Sequence, residues 1–220
     1  MKVPSNTKKS DNSKKLKGLY IISDDLLTPK NTLLENIEQV LKAGASIIQL
    51  RDKTSSDEDI ENLVVNLEKL CKKYDALFVL NDRVNLAIKL QCQGLHIGKS
   101  DYERIDFIRE NFKGIVGVSC YDDVNFAKTM EEKGIDYVAF GSFFASLTKP
   151  HSKVVNKEVL ENAKELLNIP VCAIGGITSN NAYELIKYKT DMLAVISDIW
   201  KANNKKEKCK EYIKQFKEKQ

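Results

Sequence analysis

The sequence predicts a single closed (β/α)8 barrel, and three observations point to it. Short, β-branched or apolar runs alternate with longer segments of helical period, and the alternation repeats eight times. Strands this short and apolar, each followed by a helix, imply a parallel sheet with crossover helices. The first strand-to-helix turn reads Ser23-Asp24-Asp25-Leu26-Leu27. It lacks the G-x-G-x-x-G of a dinucleotide-binding domain, so a barrel fits better than an open doubly wound sheet, and no NAD or FAD site is expected.

The units follow in order. The first strand is expected over residues 18–23 (GLYIIS), with a helix over 33–43 where Leu33, Leu34, Ile37, Val40 and Leu41 recur at three- and four-residue steps. The next strands are 46–51 (SIIQLR), 77–81 (LFVLN), 94–97 (GLHI) and 115–119 (IVGVS), followed by helices over 57–74, 84–90, 102–112 and 124–133. Strands over 137–141 (YVAFG) and 171–175 (VCAIG) precede helices over 157–167 and 180–188. The strand over 192–197 (MLAVIS) leads to a last amphipathic segment over 205–216. Residues 1–17 are expected to be a basic, flexible tail ahead of a catalytic barrel over 18–220.

Composition narrows the class. The chain has 220 residues, 42% of them hydrophobic and 30% charged, with 10 Gly and 4 Pro, which excludes collagen, low-complexity disorder and a stapled mini-protein. The net charge of +4 is unevenly spread: residues 1–17 and 201–220 each carry +5, leaving −6 on the body. No run approaches the ~20 apolar residues of a membrane span, and no apolar stretch follows the Lys-rich start, so a cytoplasmic protein is expected. Cys71, Cys92, Cys120, Cys172 and Cys209 form no C-x-x-C pair and suggest neither a disulfide framework nor a zinc site.

In a parallel barrel the active site gathers at the C-terminal ends of the strands. There this sequence is dense in polar residues: Gln49, Arg51, Asp52 and Lys53 after strand two, Asn81-Asp82-Arg83 after strand three, His96 to Asp101 around strand four, and Ser119 at strand five. Ser142 to Lys149 follow strand six, Gly175-Gly176 strand seven, and Ile196-Ser197-Asp198 strand eight. Arg51, Lys53 and Lys149, with the hydroxyls of Ser146 and Thr148, are equipment for a multiply charged oxyanion such as pyrophosphate. Asp82 and Asp101, without clustered histidine or cysteine, suit Mg2+ shared with phosphate oxygens. Gly175-Gly176 and the main chain at Ile196 and Ser197 suit the phosphate cup common after strands seven and eight. Two anionic groups are therefore expected, a metal-bound diphosphate and a separate monophosphate.

Taken singly, each residue has a plainer reading. Arg51 and Lys53 fit solvated loop charges, Asp82 and Asp101 fit helix N-caps, and His96 fits a hydrogen-bonded barrel histidine better than a base. Independent caps would not also supply the cations, so the weight lies on all of them reaching one face.

These residues, in this order, resemble the thiamine-phosphate synthase family from Leu19 to about Trp200. The matching stretches are Leu19 to Asp24, the Q-x-R-x-K of Gln49, Arg51 and Lys53, Asn81-Asp82-Arg83 with Leu86-Ala87, and Gly94 to Gly98 with Asp101. Gly117-Val118-Ser119, Gly141 to Lys149, Ala173 to Ile177 and Ala194 to Ser197 complete the set. The resemblance implies a transferase joining 4-amino-2-methyl-5-hydroxymethylpyrimidine diphosphate to a thiazole phosphate. It implies that Gln49, Arg51, Lys53, Asn81 and Lys149 hold the pyrimidine diphosphate, that Asp82 and Asp101 bind Mg2+, and that Ser119 lies beside the pyrimidine. Ser146, Thr148, Gly176, Ile196 and Ser197 would then surround the thiazole phosphate.

The chain departs from the family pattern at Ser146, where Thr is usual, at Ser142, where Pro is usual, and at Tyr121, where His is common. The related thiazole tautomerases use that histidine and lack the diphosphate residues, so the synthase reading is favoured; a non-catalytic paralogue that binds thiamine precursors is the other alternative. The Lys-rich ends raise nucleic-acid binding, but they lack Arg and interleaved aromatics apart from Tyr212 and Phe216, which read as a packing face. The expected partners are small-molecule substrates, with no nucleic acid or membrane and with a homo-oligomer left open. The 142–154 connection is long for its position and is expected to order over a ligand.

Overall fold

A strand that is apolar on both faces must be covered on both, and a sheet of such strands loses its exposed edges by closing on itself. In the computed structural model, which describes residues 11–145 and 153–218, eight parallel strands follow one another in chain order around a closed barrel. They are β1 (Gly18–Ile22), β2 (Ile47–Leu50), β3 (Leu77–Asn81), β4 (Gly94–Ile97), β5 (Ile115–Tyr121), β6 (Tyr137–Phe140), β7 (Val171–Ile174) and β8 (Met192–Val195). Leu19 pairs with Leu193 and Tyr20 with Ile47, so β1 closes the ring between β8 and β2.

The two faces of each strand pack into separate cores. One cluster fills the barrel with Tyr20, Ile22, Ile47, Leu77, Val79, Tyr137, Ala139, Met192 and Ala194. The alternate residues, among them Leu19, Ile21, Ile48, Phe78, Leu80, Val138 and Phe140, join an outer cluster with the helices. The helices are α1 (Lys30–Lys42), α2 (Asp57–Lys73), α3 (Val84–Leu90), α4 (Ile105–Asn111), α5 (Val124–Glu132), α6 (Glu158–Leu166), α7 (Tyr183–Ile186), α8 (Ser197–Trp200) and α9 (Lys205–Glu218). Each long helix presents one apolar stripe; in α1 it is Leu33, Ile37, Val40 and Leu41, all buried. Helix α2 starts where it does because Ser56 and Asp59 form a reciprocal capping box.

Three segments differ from the sequence expectation. The helix expected over 180–188 is reduced to α7, because Asn181 spends its side chain on the preceding turn, accepting from Thr178 N at 2.8 Å and donating to Gly176 O at 3.1 Å. Strand eight ends at Val195, and the next residues turn into the single-turn α8, anchored where Trp200 Nε1 donates to Ile22 O at 2.7 Å. The helix expected over 102–112 is split into a 3-10 stretch, Lys99–Arg104, and α4. Leu16, in the segment read as a tail, belongs to the interior cluster, and Lys15 pairs with Asp75 at 2.7 Å.

All five cysteines are free and buried. Burial pushes the thiols of Cys71, Cys92, Cys120 and Cys209 up to about 12. Among the described residues no helix is long and apolar enough to cross a membrane.

Candidate active site

A cavity of about 480 Å³ lies at the C-terminal ends of the strands. Gln49, Arg51, Asn81, His96 and Ser119 line it from β2 to β5, and Gly175, Gly176, Ile196 and Ser197 line it from β7 and β8. This is the end of a parallel barrel where diverging loops leave room for a ligand.

The β2–β3 side is tied together by charged side chains. Arg83 donates to Asp57 Oδ1 at 2.8 Å, to Asp52 O at 2.8 Å and to Ser55 O at 2.7 Å, bracing the loop after β3 against the loop after β2. Asp52 accepts from Thr54 N at 3.0 Å, Ser55 N at 2.9 Å and Ser55 Oγ at 2.7 Å. Burial alone would raise its carboxyl, but the Ser55 hydroxyl and amide, the Thr54 amide and Lys30 outweigh burial and hold it well below the usual carboxylate range. Ser23 Oγ accepts from Arg51 N at 2.8 Å, fixing the main chain from which Arg51 reaches the cavity.

Asp82 and Asp101 are not spent as helix caps. Arg83 occupies the N-cap of α3 without a side-chain bond, and Gly98 is the N-cap of the 3-10 stretch that carries Asp101. Asp82 adopts φ 59°, in the left-handed region that Asp tolerates, while its amide continues the ladder to His96 O at 2.9 Å. Its Oδ2 accepts from Asn81 Nδ2 at 2.7 Å and lies 3.9 Å from Lys53 Nζ. Asp101 is buried, with Ser100 Oγ at 3.1 Å and Arg104 Nη1 at 3.2 Å. No group of three or more His, Cys, Asp or Glu side chains converges among the described residues. Two hard carboxylate donors from neighbouring strand ends would suit a hard divalent cation such as Mg2+.

Beneath the cavity a polar chain crosses the barrel. Gln49 Nε2 donates to Tyr20 OH at 2.7 Å, Tyr20 OH meets Tyr137 OH at 2.8 Å, Tyr137 OH meets His96 Nδ1 at 2.9 Å, and His96 Nε2 meets Ser119 Oγ at 3.0 Å. The Tyr137 ring stacks on His96 with centroids 5.6 Å apart. Gly117 makes room for it, since a Cβ there would lie 2.0 Å from Tyr137 Cζ. Burial pushes both phenols far up, so each keeps its proton.

The β7–β8 side is built from main chain. A Cβ on Gly176, at φ 62°, would lie 2.5 Å from Ala145 O. Phe143 N donates to Ile174 O at 3.2 Å and Phe144 N to Gly175 O at 3.0 Å, so the loop after β6 lies directly on the glycine turn.

Of the residues expected from the sequence, Gln49, Arg51, Asn81, Ser119, Gly176, Ile196 and Ser197 converge on the cavity. Lys53 and Asp82, 3.9 Å apart after β2 and β3, and Asp101, in the 3-10 stretch after β4, are not part of its lining. Ser146, Thr148 and Lys149 lie outside the described residues, as does most of the expected lid. His96 is the hydrogen-bonded barrel histidine expected. Tyr20, Tyr121, Asp122 and Lys153 also line the cavity and were not singled out as site residues. A bulky Tyr137 facing Gly117 across two strands was the signal for the interior chain. Tyr121 is half-exposed at φ 56°, where the β5–β6 register shifts.

A closed (β/α)8 barrel whose C-terminal cavity has Arg51 and amide side chains on one side and a glycine turn on the other has the layout of phosphate-handling barrel enzymes. A family model described as thiamine monophosphate synthase matches residues 19–199. The chain belongs to this family. It is 42% identical over 189 residues to the thiamine-phosphate synthase of Wolinella succinogenes, covering 84% of this chain and 86% of that one. It is 38% identical to that of Picrophilus torridus, covering 92% and 98%. Among solved structures, thiamine phosphate pyrophosphorylase from Pyrococcus furiosus superposes with a TM-score of 0.83 at 34% identity, covering 95% of this chain and 98% of that one.

Proposed function

We propose that this chain makes thiamine phosphate, joining 4-amino-2-methyl-5-hydroxymethylpyrimidine diphosphate to 4-methyl-5-(2-phosphoethyl)thiazole, carboxylated or not, with release of pyrophosphate and, from the carboxylated thiazole, of carbon dioxide as well. The observation that carries the reading is one cavity lined by Gln49, Arg51 and Asn81 on one side and by Gly176, Ile196 and Ser197 on the other, two ends suited in residue type to two separate anions. In this reading Gln49, Arg51, Lys53, Asn81 and Lys149 hold the pyrimidine diphosphate, and Ser119 lies beside its ring. Ser146 and Thr148 meet the thiazole phosphate, whose cup is completed by the main chain at Gly176, Ile196 and Ser197. Mg2+ on Asp82 and Asp101 would share diphosphate oxygens and neutralise charge on the leaving group.

The aminopyrimidine ring can delocalise the positive charge left on its methylene when the carbon–oxygen bond breaks and the electron pair departs with diphosphate. Arg51, Lys53 and Lys149 stabilise the growing negative charge, an electrostatic task that needs no general base. The thiazole, held by its phosphate at the opposite end, then donates its nitrogen lone pair to the methylene, and pre-positioning makes that capture effectively unimolecular.

The test is to incubate purified protein with both compounds and Mg2+ and to follow thiamine phosphate and pyrophosphate together. Equal amounts of the two products are expected, with suppression by EDTA. No product from both substrates, with EDTA making no difference, would overturn the reading, and binding without turnover would identify a non-catalytic relative.

A further inference from the structure

We propose that the last helix, α9, serves the thiazole-phosphate end of the cavity from outside it: Lys208, Tyr212 and Gln215 are positioning residues that clamp the loop after β7 to the turn after β8 and so set the spacing of the main chain at Gly176 and Ser197. The proposal rests on the function proposed above, since it concerns the cup assigned there to the thiazole phosphate.

The two segments of that cup leave separate strands. Gly175, Gly176 and Ile177 lead from β7 to Ser179, and Ile196 and Ser197 lead from β8 into the single-turn α8. Asp198, in α8, joins them, because its Oδ2 accepts from Ser179 N at 3.1 Å. The same oxygen accepts from Tyr212 OH at 2.7 Å, so the link between the segments is itself held from α9. Burial, reinforced by the Asp198 carboxylate, pushes the Tyr212 phenol far up, and it keeps the proton it donates. Two more side chains of α9 close on the same serine: Gln215 Nε2 donates to Ser179 O at 2.8 Å, and Lys208 Nζ donates to Ser179 Oγ at 3.0 Å. The amide, carbonyl and hydroxyl of Ser179 are thus all engaged. From there the constraint reaches the cup through Asn181, which accepts from Thr178 N and donates to Gly176 O.

Positions 208, 212 and 215 are four and three residues apart, so they share one face of α9. A face that had only to cover the barrel would be apolar, as the buried stripe of α1 is. Here a lysine and a glutamine are ordered instead, at an entropic cost that packing alone does not require. None of the three lines the cavity, so their effect on a ligand is geometric. Main-chain segments that bind a phosphate through their dipoles hold it best when their separation is fixed in advance. The pyrimidine diphosphate should be little affected, because Gln49, Arg51 and Asn81 come from β2 and β3.

Tyr212→Phe removes one hydroxyl and keeps the ring, and Lys208→Met combined with Gln215→Met frees Ser179 from α9 while keeping long side chains there. In each, KM for the thiazole phosphate should rise about tenfold, while KM for the pyrimidine diphosphate and kcat at saturation stay within about twofold of wild type. The unphosphorylated thiazole alcohol, read by its KM or its inhibition constant, should lose no affinity, so the preference for the phosphate falls by the same factor. An unchanged preference in both variants, or equal rises in KM for the two substrates, would reduce the face to structural packing and overturn the proposal. Amide hydrogen exchange of the wild type adds a readout that does not depend on the variants folding. Contacts that favour phosphate binding must in turn be favoured by it, so saturating thiazole phosphate should slow exchange over residues 205–218 and saturating alcohol should not. Equal protection by both, or by neither, would overturn the proposal. A wild type that forms no thiamine phosphate would defeat the functional reading and this proposal with it, whereas an unchanged preference in an active enzyme defeats the clamp alone.

Discussion

The two sides of the barrel mouth are made of different materials. After β2 and β3 the loops are held by side chains: Arg83 reaches three groups on the neighbouring loop, and Asp52 gathers hydroxyls and amides around a buried carboxylate. After β6 and β7 the loops are held by main chain, with glycines at Gly175 and Gly176 so that two backbones can touch. The first construction places formal charges, which suits a leaving group whose charge grows during reaction. The second makes a shape lined by dipoles, which suits a phosphate that is held unchanged. Side-chain replacements should therefore damage turnover on one side, while added bulk should damage substrate affinity on the other.

The largest effect is expected from Asp82→Ala, which should cut kcat by about a thousandfold, read as pyrophosphate release at saturating Mg2+. Activity within a few-fold of wild type would remove Asp82 from the metal site. Next, Gly176→Ala puts a Cβ against Ala145 O in a backbone conformation that disfavours side chains. It should raise KM for the thiazole phosphate about tenfold while KM for the pyrimidine diphosphate barely moves; equal increases in both would erase the distinction between the two sides.

Asp52→Asn probes the side-chain construction without touching substrate. The depressed carboxyl of Asp52 contributes stability that is fully present above the unfolded value of about 3.9 and is lost as pH falls through the lower folded value. The variant should lose about 2 kcal/mol at pH 7, or roughly 4–8 °C in Tm, and this gap should close as pH falls below about 4. A gap independent of pH would mean that the charge is not what matters. The smallest effect belongs to Lys133→Ala, which removes a surface pair with Asp106 and should shift Tm by less than about 2 °C with activity unchanged.

The strands were legible because burial on both faces writes a continuous apolar run, so LFVLN and GLHI are β3 and β4 at their sequence-read limits. The helix over 180–188 was overestimated because apolar spacing does not show that Asn181 caps a turn. The single-turn α8 is too short to leave a periodic trace. In the site, residue type anticipated placement: Arg51 and Asn81 line the cavity, and Asp82 is bonded to Asn81 and lies near Lys53. The Gly175-Gly176 turn was read for phosphate alone, whereas its contact with the loop after β6 depends on a distant segment. Tyr20, Tyr137 and His96 look like three unrelated core residues until strand order places them in one chain.

The burial of all five thiols also makes the surface a convenient one for labelling chemistry. With their ionisation suppressed, Cys71, Cys92, Cys120 and Cys209 offer almost no thiolate to a maleimide at neutral pH. One cysteine introduced at exposed Leu26, on the turn after β1, would accept a single fluorophore without first stripping the native thiols. The enzyme could then carry its own optical reporter at the rim where its substrates enter.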